Sequence, residues 1–297
     1  MRFGNRGVSS NIENRRGAGG GGFGFPMGGG GGFNMGGGGL GCGGIALVII
    51  VALVFGVNPM QLLGGGDMTG GSPPAQREGV KRGEGAVTNQ TEKFAGQVLL
   101  STEEQWGRLF QQQGQRYQAA TLVFYDRTDR SGCGVAQAAM GPFYCPADQG
   151  IYLDTSFFQE LEQRLGAGGD FAQAYVIAHE VGHHVQTITG ISDRVRRAQS
   201  RAGKAEGNAL QVKMELQADC YAGVWASTER EALEPGDVEE GLRAASAIGD
   251  DTLQKASQGY VVPESFTHGT SAQRMEWLQR GLKSGDPAQC DTFGNSI

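Results

Sequence analysis

From residue 91 onward the apolar positions follow the ~3.6-residue helical period in most segments and a strand-like run in a few. Phe94, Val98 and Leu99 share one helical face, and Trp106, Leu109 and Phe110 continue after a cap at Ser101 or Thr102. Residues 121–125, Thr-Leu-Val-Phe-Tyr, are β-branched and aromatic and predict a strand, as do residues 150–154. Residues 141–145 can pair with the latter through a turn at 146–150. A helix over 157–165, capped by Thr155 or Ser156, ends at the breaker Gly166-Ala-Gly-Gly169. Asp170 with Gln173 predicts a capping box for a helix running to about Thr189, and further helices are predicted over 205–227, 235–248 and 271–282. Strands early and helices late give an α+β fold, mainly helical with a small sheet or hairpin.

Before residue 91 the pattern changes. Residues 1–39 are so rich in glycine that they are expected to be a disordered tail, because glycine costs backbone entropy and supplies no side chain to a core. No Gly-Lys-Ser/Thr follows the glycine runs, so they do not form a phosphate loop. Residues 40–63 are free of charge and long enough to cross a ~30 Å hydrocarbon layer, which predicts a transmembrane signal anchor. Residues 64–90 predict a flexible linker, and 91–297 the folded domain. Arg2, Arg6, Arg15 and Arg16 against Glu13 place the N-terminus in the cytoplasm by the positive-inside rule, and the domain in the periplasm or outside the cell.

The net charge of −6, with no basic patch carrying aromatics, argues against a nucleic-acid partner. Cys133, Cys145, Cys220 and Cys290 suit an oxidising compartment. They allow three connectivities. Locality favours Cys133 with Cys145 and Cys220 with Cys290. Cys42 is left over at the start of the apolar run.

Within the helix expected from Asp170, the stretch His179-Glu180-Val-Gly-His183 sets two imidazoles four residues apart. Both can reach a single Zn²⁺, with Glu180 beside them to act on a water as general base. A catalytic zinc needs three protein ligands and an open position. A glycine three and a histidine six residues after His183 would supply a known third ligand, but Gln186 and Thr189 stand there, and His184 points away from the pair. Downstream, Glu215 in Met214-Glu-Leu-Gln-Ala-Asp219 completes a His₂Glu set, and Asp219 one turn later can bind the spare N–H of a ligand imidazole. Gly182 and Ala218 are small enough to let the two helices approach. His268 is a candidate donor to the oxyanion of a cleaved carbonyl, with Arg274 as an alternative. Residues 151–154 are the candidate edge strand for an extended peptide. The acids Glu229, Glu231, Glu234, Asp237, Glu239 and Glu240 suggest a solvated face.

These residues describe a zinc-dependent endopeptidase tethered to a membrane, with a peptide or protein as substrate. Two other readings fit the same residues: a tethered binding protein whose zinc braces two helices, and a zinc hydrolase of a non-peptide, cell-wall amide. Glu180 favours an enzyme, since a structural site needs no base.

The chain resembles the bacterial neutral zinc metallopeptidases anchored by one N-terminal segment. The likeness is carried by Gly132-Cys-Gly134, residues 140–148, residues 169–173, residues 179–186, residues 215–219 and Ser265-Phe-Thr-His-Gly-Thr270. The Glu-x-x-x-Asp spacing of Glu215 and Asp219, with Ala218 between, is similar to that of thermolysin-like zincins. The resemblance implies a zincin-like fold, His179, His183 and Glu215 as ligands, and Glu180 as base.

Overall fold

The computed structural model describes residues 1–17 and 80–294. In chain order the elements are β1 (Ile12–Asn14), β2 (Lys81–Arg82), α1 (Gln90–Gln112), β3 (Thr121–Phe124), β4 (Thr128–Ser131), β5 (Gly134–Gln137), β6 (Phe143–Cys145) and β7 (Gly150–Leu153). The further α-helices are α2 (Ser156–Gln163), α3 (Asp170–Ile188), α4 (Ile191–Gln199), α5 (Lys204–Ala226), α6 (Asp237–Ala247), α7 (Asp250–Gln258) and α8 (Ser271–Ser284), with short 3-10 turns between some elements. The fold is α+β and mainly helical, as the order of periods predicts.

One mixed sheet has the order β2-β1-β3-β7-β6, and β4 with β5 forms a separate hairpin. β3 runs parallel to β1 and to β7, whereas β6 returns antiparallel to β7 through residues 146–149. Covered on both sides, β3 and β7 carry buried runs such as Leu122, Val123 and Phe124, which explains why they read as continuous rather than alternating apolar segments. The main core lies between this sheet and the helices, with Trp106, Phe171, Tyr175 and Trp225 among its large members.

Several expectations are corrected. Residues 1–17 are not a disordered tail: β1 lies inside the sheet, Ile12 is 1% exposed, and Asn14 donates to the Ala86 carbonyl at 2.8 Å. The rest of the expected tail, the apolar anchor at 40–63 and most of the linker lie outside the described residues. Among the described residues no helix is long and apolar enough to cross a membrane.

Helix α1 is continuous through Ser101 and Thr102. Its N-cap is Asn89, whose side chain accepts from Glu92 N at 2.9 Å. Buried Ser101 serves tertiary packing instead, donating to Glu229 and accepting from the Trp225 indole. The capping box predicted at Asp170 is absent. Gly169 is the N-cap, and Asp170 meets the Met1 amino group at 2.5 Å. Gly249-Asp-Asp251 begins α7. The two disulfides join Cys133 to Cys145 and Cys220 to Cys290.

Candidate metal centre

Helix α3 is buried along almost its whole length, so its apolar residues face the core on several sides. Its contact with α5 is set by small residues. A Cβ on Gly182 would lie 3.0 Å from both Cα and O of Ala218, so the two backbones nearly touch there. This approach brings Glu215, one turn before Ala218, opposite the imidazoles one turn apart on α3.

The Nε2 atoms of His179 and His183 lie 3.2 and 3.5 Å from Oε2 of Glu215, and one ligand atom from each of the three residues falls within 4.8 Å of the others. A tetrahedral Zn²⁺ with bonds of ~2.0–2.1 Å holds its ligand atoms roughly 3.3–3.4 Å apart, so the observed spacing fits that ion. Hydrogen bonds fix the tautomers. His179 Nδ1 donates to Asp219 Oδ1 at 2.7 Å and His183 Nδ1 donates to Gln186 Oε1 at 2.9 Å. Both Nε2 lone pairs therefore face the Glu215 carboxylate, an all-acceptor trio that calls for a cation.

Electrostatics agree. Burial alone would push His179 down, but the charge of the Asp219 carboxylate and the hydrogen bonds that Asp219 and Glu215 accept from the protonated ring outweigh it and lift its pKa to about 10. Burial likewise opposes the raised pKa of His183, which Glu215 drives. Glu215 is held well below the usual carboxylate range, against burial, by the charges of His183 and His268 and by its bonds to the imidazoles. The pocket thus favours positive charge at the Nε2 positions, and a metal ion competes there with protons.

A buried frame holds the ligands. Asp219 accepts from Tyr175 Oη at 2.6 Å and from Arg274 Nε and Nη2, each at 2.9 Å. Gln186 Nε2 donates to the Met214 carbonyl at 2.7 Å, which orients its oxygen toward His183, and Gln211 donates to Glu215 Oε1 at 3.0 Å. Tyr175, Gln186 and Gln211 escape the sequence analysis as site residues. Their signal is nonetheless present, since each stands three or four positions from a ligand on the same helix.

The centre opens into a cleft of about 460 Å³. Glu180 and His268 line it, together with Phe143, Tyr144 and Met140 from the β6 side. Burial raises the pKa of Glu180, while His183, His179 and the Tyr144 backbone N–H favour its ionised form. His268 sits at the start of the loop before α8. There Asp250 accepts from the backbone N–H groups of Thr267, His268 and Gly269 and from His268 Nδ1 at 3.1 Å.

Arg274 also reaches the cleft, but Asp219, Tyr175 and the Ile248 carbonyl engage its guanidinium, so it holds the frame rather than an oxyanion. The candidate edge strand is corrected as well. β7 is internal, and β6 is the strand at the sheet edge beside the metal ligands. His184 faces away from the centre, donating through Nε2 to the Gln118 carbonyl at 2.6 Å. The acidic residues expected to be solvated are partly buried: Glu229 and Asp237 are 7% and 4% exposed and bind Arg6 and the Met1 amino group.

The chain is 50% identical to "Uncharacterized protein YpfJ" of Escherichia coli (strain K12), over 303 aligned positions and the full length of both. It is 48% identical to "Uncharacterized protein Rv2575" of Mycobacterium tuberculosis (strain ATCC 25618 / H37Rv), over 55% of this chain and 58% of that protein. No solved structure matches it. The family model described as "Putative neutral zinc metallopeptidase" matches residues 1–293, and the chain belongs to that family.

Proposed function

We propose that the chain is a zinc-dependent endopeptidase, with His179, His183 and Glu215 as metal ligands and Glu180 as general base. The observation that carries this reading is the convergence of two imidazole lone pairs and one carboxylate oxygen beside Glu180 at the wall of an open cleft. Zinc, when bound, supplies a Lewis acid that polarises a carbonyl and lowers the pKa of a water to ~7. Glu180, buried and with a raised pKa, accepts the proton of the attacking water and delivers it to the leaving amine. Edge strand β6 offers backbone groups to an extended peptide, and His268 is the candidate donor to the developing oxyanion. The two disulfides support action in an oxidising compartment.

The test compares zinc content and digestion of an unfolded polypeptide, with peptidoglycan fragments as the rival substrate. Glu180→Gln should retain zinc and lose cleavage by at least a hundredfold, in the range of general-base effects. His268→Ala should lower kcat with zinc content and KM little changed. Undiminished cleavage by Glu180→Gln overturns the assignment of the base, and turnover of the peptidoglycan fragments alone moves the substrate to a cell-wall amide.

A further inference from the structure

The cleft that holds the metal ligands differs in character at its two ends. Helix α3 lines it from Tyr175 to Thr187, which at ~1.5 Å per residue is about 18 Å, room for roughly five residues of extended peptide. His179, Glu180 and His183 lie midway along that length. One turn before them the walls are Leu165, Val176, Ile248 and Leu253, with Met140 and Phe157 from the side of β6. Ile248 is held at this end because its carbonyl and the Tyr175 hydroxyl both accept from Arg274, at 3.3 and 3.1 Å. All these wall side chains are apolar.

One turn after the ligands the lining changes to Thr187, Ser192, Arg196, Gln199 and Gln211. Only Thr189 and Gly190 separate α3 from α4, and the hydroxyls of Thr187 and Ser192 lie 3.3 Å apart across that turn. Helix α4 buries Ile191 and Val195 against Leu210 and Met214 of α5. That orientation turns Ser192, Arg196 and Gln199, spaced four and three apart, toward the cleft. Gln199 donates to Gln211 at 3.3 Å and Gln211 to Glu215 at 3.0 Å, so side-chain amides join this end to the metal site. Residues 191–204 hold Arg194, Arg196, Arg197, Arg201 and Lys204 against the single acid Asp193, in a chain whose net charge is −6. Arg196 lies 2.7 Å from Asp193, but both side chains are mostly exposed, and such a pair is worth little in water. The guanidinium can therefore exchange Asp193 for the carboxylate of a bound molecule at little cost.

We propose that the cleft takes an extended polypeptide with a bulky apolar side chain at the Val176 end and acidic side chains at the Arg196 end, and that Arg196 selects the acids. Charge complementarity argues for this occupant, since a cation stands at one end and an apolar wall at the other. The edge strand β6 beside the same cleft favours an extended backbone in a fixed direction. The proposal rests on the peptidase reading for putting the two features on opposite sides of the cleaved bond, and its test measures binding.

The test uses the full chain loaded with zinc and carrying Glu180→Gln, so that bound peptides are not consumed. Fluorescence anisotropy gives Kd for labelled peptides with a central leucine flanked on one side by a run of glutamates or of glutamines, in both orders, and for the same peptides with alanine at the centre. In one of the two orders the glutamate peptide should bind about fivefold more tightly than the glutamine peptide, and less so at high salt. Alanine at the centre should weaken binding roughly tenfold. Adding Arg196→Glu should abolish the preference for acids with zinc content unchanged. Arg230→Glu, the same change of charge beyond the far end of α5, should leave the preference intact. Equal affinity for the glutamate and glutamine peptides, a preference that survives Arg196→Glu, or indifference to the central alanine overturns the proposal. Binding to anionic phospholipid vesicles that Arg196→Glu abolishes, with no peptide preference in the parent, assigns α4 to a lipid surface and overturns it as well. Equal cleavage of both peptides once Glu180 is restored would sink this proposal and keep the peptidase, whereas selective binding without cleavage would do the reverse.

Discussion

At His179 a carboxylate does work that the metal ligands cannot do for themselves. Asp219 takes the Nδ1 proton at 2.7 Å and is itself held by Tyr175 and Arg274, so it fixes which nitrogen is free. Asp219→Asn removes the charge that favours a cation on His179, and zinc affinity should fall about 10–100-fold, as measured by competition with a chromogenic chelator. His184, next to a ligand but outside the centre, gives a pH-dependent outcome. Burial lowers its pKa, only partly offset by the Gln118 carbonyl. In the unfolded chain the imidazole takes up a proton as pH falls through ~6.5, whereas the folded one resists until its lower pKa is reached. Its contribution to stability is therefore fully present above ~6.5 and is lost as pH falls toward the folded value. Urea unfolding at pH 7 and pH 5 should show a smaller loss in His184→Gln than in the parent. An equal loss in both would contradict this assignment.

At the scale of elements, the site depends on how closely three helices pack. Gly182 lets α3 meet α5, and Gly223 and Gly281 do the same for α5 and α8. A Cβ on Gly281 would lie 1.9 Å from the Cys220 carbonyl oxygen. Side-chain rearrangement cannot relieve that contact, because the obstacle is backbone. Gly281→Ala should therefore cost more than the roughly 1–3 kcal/mol of ordinary overpacking, as read by chemical denaturation. Since α8 carries Arg274, displacing it should also loosen Asp219 and weaken zinc binding, although residue 281 touches no ligand. Gly182→Ala meets milder contacts at 3.0 Å and should cost less.

For the whole molecule, the N-terminal segment is part of the domain that holds the metal. Ile12 is 1% exposed, and its neighbours include Gly96 of α1, where a Cβ would come within 2.9 Å of the isoleucine Cδ1. Ile12→Ala should destabilise the zinc domain by about 2–5 kcal/mol, measured by denaturation of the full chain. A tail outside the fold would show no change. The same strand closes the sheet between β2 and β3, so its loss exposes the edge of β3 and invites intermolecular pairing, which light scattering of the variant would detect.

Local chemistry made the metal ligands legible in the sequence. Helical spacing alone aligns His179 with His183 and Glu215 with Asp219, and the glycine and alanine that permit the helix crossing stand between them. The helices holding these pairs were readable from the length of their unbroken runs, bounded by Gly169, Gly190 and Gly203, rather than from an apolar stripe, since both are buried on most sides. Strand β1 was not, because three residues carry no resolvable period and the ladder that stabilises them comes from more than a hundred positions away. Nor could sequence show that Arg274 is committed to Asp219, that β6 rather than β7 forms the edge, or that the arginines before the glycine run answer acids of the domain. Ligand identity and spacing within a helix belong to the chain itself. Which distant groups share a buried charge, and which strand keeps an open edge, are settled only when the elements pack, since those energies depend on separation in space.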